Sequence, residues 1–196
     1  MKSYLISSTK KSSGKTIIAT GISSILSRTD SLAVFKKGPD YIDPHWLSLA
    51  SKVNCYNLDF FTMSNSEIKK LYKQMSYEKN ISIIEGNKGL FDGISLDGGD
   101  SNASLAHLLK LEVILVIDCV GMTRGVAPLL KGYQEFDKKI KYKGIILNNI
   151  ANDRHENKVI NAINEFTKLK VIGSIHKNKQ LTIMEKKLGL EPVFQN

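Results

Sequence analysis

Apolar residues recur along the chain in two alternating patterns. Short continuous runs rich in Val and Ile are separated by longer segments in which apolar residues follow a helical period. Continuous apolar runs are typical of parallel strands that helices cover on both faces. The pattern therefore predicts successive βα units, with strands at residues 3–7, 32–35, 81–84, 113–117, 144–147 and 171–175 and helices at 16–26, 66–75, 101–109 and 158–166.

The predicted fold class is α/β, a P-loop NTPase fold with a mostly parallel sheet and helices on both faces. In such sheets ligands bind outside the carboxyl ends of the strands. Glycine-punctuated polar segments follow the second and third predicted strands, so we expect the functional site at that edge. The sequence contains no internal repeat or linker, which predicts a single domain over residues 1–196.

The first predicted strand runs into a loop that ends Gly14-Lys15-Thr16 and opens onto a helix. Such a loop cradles phosphates with its backbone N–H groups, while its lysine reaches the β- and γ-phosphates and its hydroxyl binds Mg²⁺. The usual first glycine of this pattern is Thr9 here. A polar turn with a helix cap is the alternative interpretation. The position in the first strand-to-helix turn favours a nucleoside triphosphate site formed by Ser12, Ser13, Gly14, Lys15, Thr16 and Ile17.

Two carboxylates follow apolar strands, at the place where P-loop enzymes hold Mg²⁺. Glu85 follows the third predicted strand and Asp118 follows the fourth. Either could instead cap a helix or anchor a loop. We favour Glu85 as the metal ligand because nearby glycines would let a substrate approach the backbone.

The segment after the second strand, Lys-Lys-Gly-Pro-Asp, concentrates cations and a carboxylate beside the phosphate loop. Asp40 and Asp43 could simply form two Asx turns. A site that handles an anionic acceptor and Mg²⁺ would nevertheless need such groups, so Lys36 and Asp40 are candidates for that chemistry.

Composition narrows the choice of function. With 42% hydrophobic residues and four prolines among 196 residues, the chain is expected to fold into a compact unit. No apolar run is long enough to span a bilayer and no signal peptide is evident, so we expect a cytoplasmic protein without a membrane partner. The net charge of +9 would permit nucleic-acid binding, but the lysines are scattered and we predict no nucleic-acid partner.

Together these motifs resemble the ATP-binding synthetase domain of the cobyrinic acid a,c-diamide synthase family, which is related to dethiobiotin synthetase. The resemblance covers almost the whole chain, and its most specific motif is Phe-Lys-Lys-Gly-Pro-Asp-Tyr-Ile-Asp-Pro at residues 35–44. Six further motifs follow in the family's order, at residues 57–59, at 85–93, at Asp118 with Gly121-Met122, at 144–148, at Arg154-His155 and at 188–190.

The resemblance implies ATP-dependent amidation of peripheral carboxylates on a modified tetrapyrrole, through an acyl phosphate that ammonia attacks. ATP and Mg²⁺ are the implied cofactors. The implied catalytic residues are Lys15, Lys36 and Asp40, and the implied Mg²⁺ ligands are Thr16, Asp40 and Glu85. Asn148 would lie near the adenine. The implied substrate residues are Tyr41, Asp43, Leu90, Phe91, Asp92 and Gly93.

Full-length members of that family continue into a glutamine amidotransferase domain, whereas this sequence ends at Asn196 and neither of its cysteines lies in a suitable nucleophile turn. The expectation is that ammonia comes from a separate glutaminase subunit or from solution. The family also implies a homodimer. Its relatives act on cobyrinic, hydrogenobyrinic or sirohydrochlorin-type rings, so the ring stays open.

Three departures from the family pattern keep other functions open. Ser8 stands where the family's loop has its first glycine, Leu47 stands where the family has a histidine, and Ile175-His176-Lys177 replaces Leu-Pro-Arg. One alternative is a dethiobiotin synthetase-like ligase. Others are a partner-switching P-loop ATPase, in which Lys10 or Lys11 would be the extra loop lysine, and a homologue that binds its ligands without turnover.

Overall fold

The computed structural model describes residues 1–181, 185–186 and 189–190. The strands are β1 (Lys2–Ser8), β2 (Leu32–Lys37), β3 (Cys55–Leu58), β4 (Ile81–Glu85), β5 (Glu112–Asp118), β6 (Lys141–Ile150), β7 (Val171–His176), β8 (Glu185–Lys186) and β9 (Gly189–Leu190). The helices are α1 (Lys15–Leu26), α2 (Asp43–Ser51), α3 (Asn65–Met75), α4 (Asn102–Leu109), α5 (Val126–Phe136) and α6 (Asp153–Phe166), with a 3₁₀ turn at Lys179–Leu181.

Strands β1 to β7 form one sheet in the order β3-β2-β4-β1-β5-β6-β7, and every neighbouring pair in it is parallel. Strands β8 and β9 pair antiparallel. The chain passes from β1 through α1 to β2 on one side of β1, whereas β5, β6 and β7 lie on its other side. The order of strands therefore reverses at β1, and the crevice at its carboxyl end is where such folds bind ligands. The predicted fold class is confirmed.

Side chains of β1 alternate between two apolar cores, one on each face of the sheet. Leu5 is fully buried in the core that α3, α4, α5 and α6 cover, and Ile6 is fully buried in the core that α1 and α2 cover. The apolar runs are continuous because both faces of each central strand are removed from water. Among the described residues no helix combines the length and the apolar character needed to cross a bilayer.

All six predicted strands and all four predicted helices are present, with different ends. Helix α6 begins well before the predicted start because the side chain of Asn152 accepts a hydrogen bond of 3.0 Å from the His155 N–H and caps the first turn. The motif at residues 188–190 falls partly outside the described residues, because Leu188 is not among them.

The unpredicted elements are β3, α2, α5 and the short strands β8 and β9. The first three escaped prediction for local reasons. Strand β3 has only four residues and lies at the edge of the sheet, where polar Asn57 interrupts the apolar run. Helix α5 contains Pro128 and Gly132, both of which usually argue against a helix. Helix α2 has a weak apolar face, and it follows a turn in which Asp40 Oδ1 accepts hydrogen bonds from the N–H groups of Ile42 and Asp43.

We predict that Gly144→Ala lowers the free energy of unfolding by about 1–3 kcal/mol, because a methyl group there overpacks a rigid neighbour. The added carbon would lie 2.9 Å from the carbonyl oxygen of Lys170, in the backbone beside β7. The control is Gly132→Ala on α5, where an added carbon meets nothing within 4 Å and which we expect to stabilise by about 0.5–1 kcal/mol. Urea unfolding of both variants measures the difference, and equal stabilities would contradict the packing of β6 on β7.

Candidate functional site

The phosphate-type loop spans residues 9–14 between β1 and α1. Gly14 takes a left-handed conformation with φ of 89°, and Ser12 does so with φ of 55°. The Lys15 ammonium folds back over the loop and donates a hydrogen bond of 3.1 Å to Ser8 Oγ. Gly14 provides no side-chain cap to α1, so the first N–H groups of the helix face the concave side of the loop. The loop thus has the form that binds phosphates.

Asn148 supports the loop from β6. Its Nδ2 donates a hydrogen bond of 2.9 Å to the carbonyl oxygen of Ser13. Its amide also occupies the space that a side chain at Gly14 would need, so any larger residue there would collide with it. The structure thus places Asn148 against the phosphate loop, and its predicted position near the adenine stays a prediction.

Four side chains at the ends of β2 and β4 and the starts of α1 and α2 form what we call the acid–lysine cluster: Thr16, Lys36, Asp43 and Glu85. The Lys36 ammonium lies 2.5 Å from Asp43 Oδ2 and 3.1 Å from Glu85 Oε1. Thr16 Oγ1 donates to Glu85 Oε1 at 2.5 Å and to Asp43 Oδ2 at 3.3 Å. Lys36 and Glu85 are register partners in the sheet, which fixes their proximity.

The cluster is almost entirely removed from water, with Lys36 3% and Glu85 0% exposed. Burial alone would lower the pKa of Lys36, but the carboxylates of Glu85 and Asp43 outweigh it and raise that pKa, so the ammonium stays charged. Burial raises the pKa of Glu85, and the Lys36 charge opposes this shift. Burial and the Lys36 charge together lower the pKa of Lys15 to about 8.

The donor set fits a hard divalent cation such as Mg²⁺. Glu85 Oε2 is buried and has no hydrogen-bond partner among the described residues. A buried carboxylate oxygen without a partner is costly, and a metal ion would satisfy it. The Thr16 hydroxyl and the Asp43 carboxylate lie beside it. Oxygen atoms of this kind are the ligands that Mg²⁺ prefers.

Of the two other acidic candidates, Asp40 lies at the edge of the acid–lysine cluster and Asp118 lies outside it. Asp40 Oδ2 is 3.8 Å from the Lys36 ammonium, while its Oδ1 holds the turn before α2. The metal and catalytic roles predicted for Asp40 stay predictions. Asp43, a predicted substrate residue, lies closer to Lys36 than Asp40 does and accepts a hydrogen bond from Thr16. Asp118 pairs with Lys10 at 3.0 Å and accepts a hydrogen bond from Asn149.

The predicted substrate residues after β4 lie beside the phosphate loop. The Leu90 N–H donates a hydrogen bond of 2.7 Å to the carbonyl oxygen of Ser8, and the Leu90 side chain is fully buried. Asp92 Oδ2 accepts from the Gly89 N–H at 3.0 Å, which closes a turn. An added carbon at Gly93 would meet the Asp100 carboxylate. The loop is therefore tied to the phosphate loop by its backbone.

Aromatic rings extend this loop toward α5. The Phe91 ring lies 5.1 Å from that of Tyr133 and 4.8 Å from that of Phe136, measured between centroids. Tyr41, the predicted substrate residue after β2, is 83% exposed. Tyr41 and Phe136 thus leave exposed aromatic surface on these segments.

Sequence reasoning missed two residues that hold these loops. The side chain of Asn102 is fully buried, and its Nδ2 donates to the carbonyl oxygens of Asn87 and Gly89 at 2.5 and 2.8 Å. The Tyr133 hydroxyl donates to the carbonyl oxygen of Thr9 at 2.9 Å. Each contact joins segments far apart in sequence, and no local pattern signals it.

Comparison with known proteins finds relatives that align with almost the whole chain. A family model described as an AAA domain matches residues 33–185. The chain is 45% identical over 188 residues to the cobyrinate a,c-diamide synthase of Magnetococcus marinus, covering 95% of this chain and 40% of that protein. It is 39% identical over 194 residues to the protein of the same name in Methanococcus vannielii, covering 98% and 43%.

The chain thus spans less than half the length of these curated relatives. The resemblance inferred from the seven motifs is confirmed. Among solved structures, the signal recognition particle 54 kDa protein of Aeropyrum pernix K1 in complex with GDP matches with a TM-score of 0.62 at 16% identity, covering 90% of this chain and 42% of that one. At this identity the match supports the fold alone.

We predict that affinity for ATP falls as the pH rises above about 8. Lys15, with its pKa lowered to about 8, loses its proton there in the free protein, whereas bound phosphates would keep it charged. Binding then takes up a proton, and the dissociation constant should rise by up to about tenfold per pH unit. Titration calorimetry between pH 7 and 9.5 measures this, in a range where the phosphates of ATP are already ionised.

The control for this prediction is Lys15→Met, which cannot titrate. It should bind ATP more weakly and with a dissociation constant that does not change over the same range. If the dissociation constant of the unmodified chain did not change with pH, Lys15 would be charged over the whole range, and its burial would not affect ATP binding.

Proposed function

We propose that this chain is an ATP-dependent carbon–nitrogen ligase. It belongs to the AAA domain family, whose model matches residues 33–185. It would amidate peripheral carboxylates of a corrinoid or related tetrapyrrole. The observation that carries the proposal is the acid–lysine cluster beside the phosphate loop. It gathers a buried ammonium, two carboxylates and a hydroxyl where a γ-phosphate and an acceptor carboxylate would meet.

The names of the relatives supply the acceptor class. Cobyrinate a,c-diamide synthase describes proteins that form amides on a corrin ring bearing several carboxylates. This chain aligns with less than half of each such protein. Its own activity on that class of ring is therefore part of the proposal.

The proposed reaction has two steps. In the first, a carboxylate oxygen of the ring attacks the γ-phosphorus of ATP, a P–O bond forms, the bond to the β-phosphate oxygen breaks and ADP leaves. In the second, ammonia attacks the acyl carbon, inorganic phosphate leaves and a proton is lost to give the amide. Positioning and charge stabilisation would supply most of the rate enhancement, as in other phosphoryl transfers.

Separate residues of the chain would bind the phosphates and stabilise the charge in the first step. Lys15 and the N–H groups after Gly14 would hold the β- and γ-phosphates. Lys36 would stabilise negative charge on the transferring phosphoryl group and on the attacking carboxylate. Its burial between two carboxylates supports this role, because it stays charged and is held in one place.

Thr16, Glu85 and Asp43 would hold Mg²⁺, and Asp40 stays a predicted ligand at the edge of the same cluster. When bound, Mg²⁺ neutralises charge on the β- and γ-phosphates. Glu85 contributes the buried oxygen that has no partner in the described part of the chain, and Thr16 contributes the hydroxyl at the start of α1.

The acceptor would lie over the loops after β2 and β4. The backbone of Leu90 is joined to the phosphate loop, Phe91 packs in an aromatic group, and Tyr41 in the loop after β2 is exposed. Ammonia would arrive free or from a separate glutaminase subunit. A homodimer and a cytoplasmic location belong to the same proposal.

One contact bears on the switch-ATPase alternative. Lys10, which could have served as an extra loop lysine for a partner's nucleotide, pairs with Asp118 of its own chain at 3.0 Å. The ligase proposal is favoured over that alternative because this loop lysine already has an ionic partner within its own chain. The dethiobiotin synthetase-like ligase differs in its acceptor, so substrate dependence distinguishes it.

The decisive experiment measures ADP release by the purified chain with Mg²⁺ and ammonium, with and without cobyrinic acid, while mass spectrometry follows amide formation. We predict ring-dependent turnover with a loss of one mass unit per amidation. Glu85→Gln should lower kcat by about 100-fold or more, because a carboxylate that would hold the charge-neutralising Mg²⁺ is lost. Glu112→Gln, on half-exposed Glu112 at the opposite end of the sheet, is the matched control and should leave kcat unchanged.

Other results would select other functions. Turnover that needs bicarbonate and a diamine would indicate the dethiobiotin type. Tight ATP binding without amidation of cobyrinic acid, hydrogenobyrinic acid or sirohydrochlorin would refute the ligase proposal for this chain.

A further inference from the structure

The two adjacent lysines at the end of β2 have different surroundings. Lys36 points to the face of α1 and α2 and is neutralised by carboxylates. Lys37 follows it on the strand, so its side chain emerges on the other face. There it is 5% exposed, lies beneath the loop after β4 and donates a hydrogen bond of 3.2 Å to Asn87 Oδ1. Lys37 is thus a buried cation held by a neutral amide.

The hydrogen-bonding capacity of Lys37 is only partly used. An ammonium has three donors, and Asn87 accepts from one of them among the described residues. The Phe60 ring lies 5.7 Å away and provides a weak cation–π contact. Burial lowers the pKa of Lys37, which reflects this incomplete compensation. A buried charge without an ionic partner is costly unless a ligand supplies one.

The carboxylates of Asp59 and Asp100 act on the Lys37 charge, but both already accept hydrogen bonds from other groups. Asp59 accepts hydrogen bonds from the Phe61 N–H and from Thr62, and so shapes the turn after β3. Asp100 accepts from two N–H groups of the loop before α4. Neither forms an ion pair with Lys37 within the described part of the chain. The exposed cation of Lys88 adds further positive charge nearby.

We infer that Lys37, with Asn87 beside it, forms a subsite for a second carboxylate of the acceptor, one that is bound but does not react. The inference rests on the proposed function. Lys36 would serve the reacting carboxylate, and Lys37 would anchor a neighbouring side chain of the same ring. A polycarboxylate would then be held at two points, and the second would add to its affinity.

The test compares the unmodified 196-residue chain with Lys37→Gln, which keeps a donor for Asn87 but removes the charge. Affinities for cobyrinic acid and for its uncharged heptamethyl ester are measured by quenching of Trp46 fluorescence or by calorimetry. We expect Lys37→Gln to bind cobyrinic acid about 10- to 100-fold more weakly, the range of one charge-assisted hydrogen bond. Affinities for the ester and for ATP should not change, and KM for the acid should rise while kcat changes little.

Two further variants separate charge from structure. Lys37→Arg should retain most of the affinity for the acid, and Lys73→Gln, on an exposed lysine of α3, should match the unmodified chain. Equal weakening of acid and ester by Lys37→Gln would assign Lys37 a merely structural role and overturn the inference, as would an unchanged KM. If the unmodified chain neither binds nor amidates the acid, the proposed function fails, and this inference fails with it.

Discussion

The ion pair that buried Lys36 makes with Glu85 and Asp43 is the interaction on which the rest of the site depends. A charge in this position costs several kcal/mol of desolvation, and only close, well-aligned partners offset it. The parallel register of β2 and β4 provides one partner, and the start of α2 provides the other. Because removal of one partner would leave a buried charge uncompensated, the cluster also holds α1, α2 and the sheet in a fixed relation.

The phosphate loop is held in this chain by contacts from its surroundings. Its pattern lacks the usual first glycine. The Ser8 hydroxyl donates to the carbonyl oxygen of Lys10 and accepts from the Lys15 ammonium. Asn148 and Tyr133 fix the loop from β6 and α5. The backbone bond from Leu90 to Ser8 then connects it with the loop that we assign to the acceptor. The phosphate loop and the loop after β4 therefore share one framework, which would suit the proposed reaction between two bound ligands.

The contrast between Lys36 and Lys37 illustrates how one strand can serve two charged groups. Alternation along a strand sends neighbouring side chains to opposite faces. One ammonium is neutralised within the protein, and we propose that it acts on the reacting phosphoryl group. The other has a single hydrogen-bond acceptor among the described residues, and we infer that it recognises a carboxylate. A polycarboxylate ring offers groups for both, and this agreement connects the geometry with the relatives' names.

The sequence by itself determined the class of fold, the phosphate-type loop and the edge of the sheet where the polar side chains gather, because these follow from local periodicity and from residues close together in the chain. It also pointed to Thr16, Lys36 and Glu85. Only the tertiary structure decided that Asp43 lies closest to them, that Asp118 pairs with Lys10, and that Asn102 and Tyr133 hold the loops. Those contacts depend on strand order and helix placement, which bring together side chains that no short-range pattern relates.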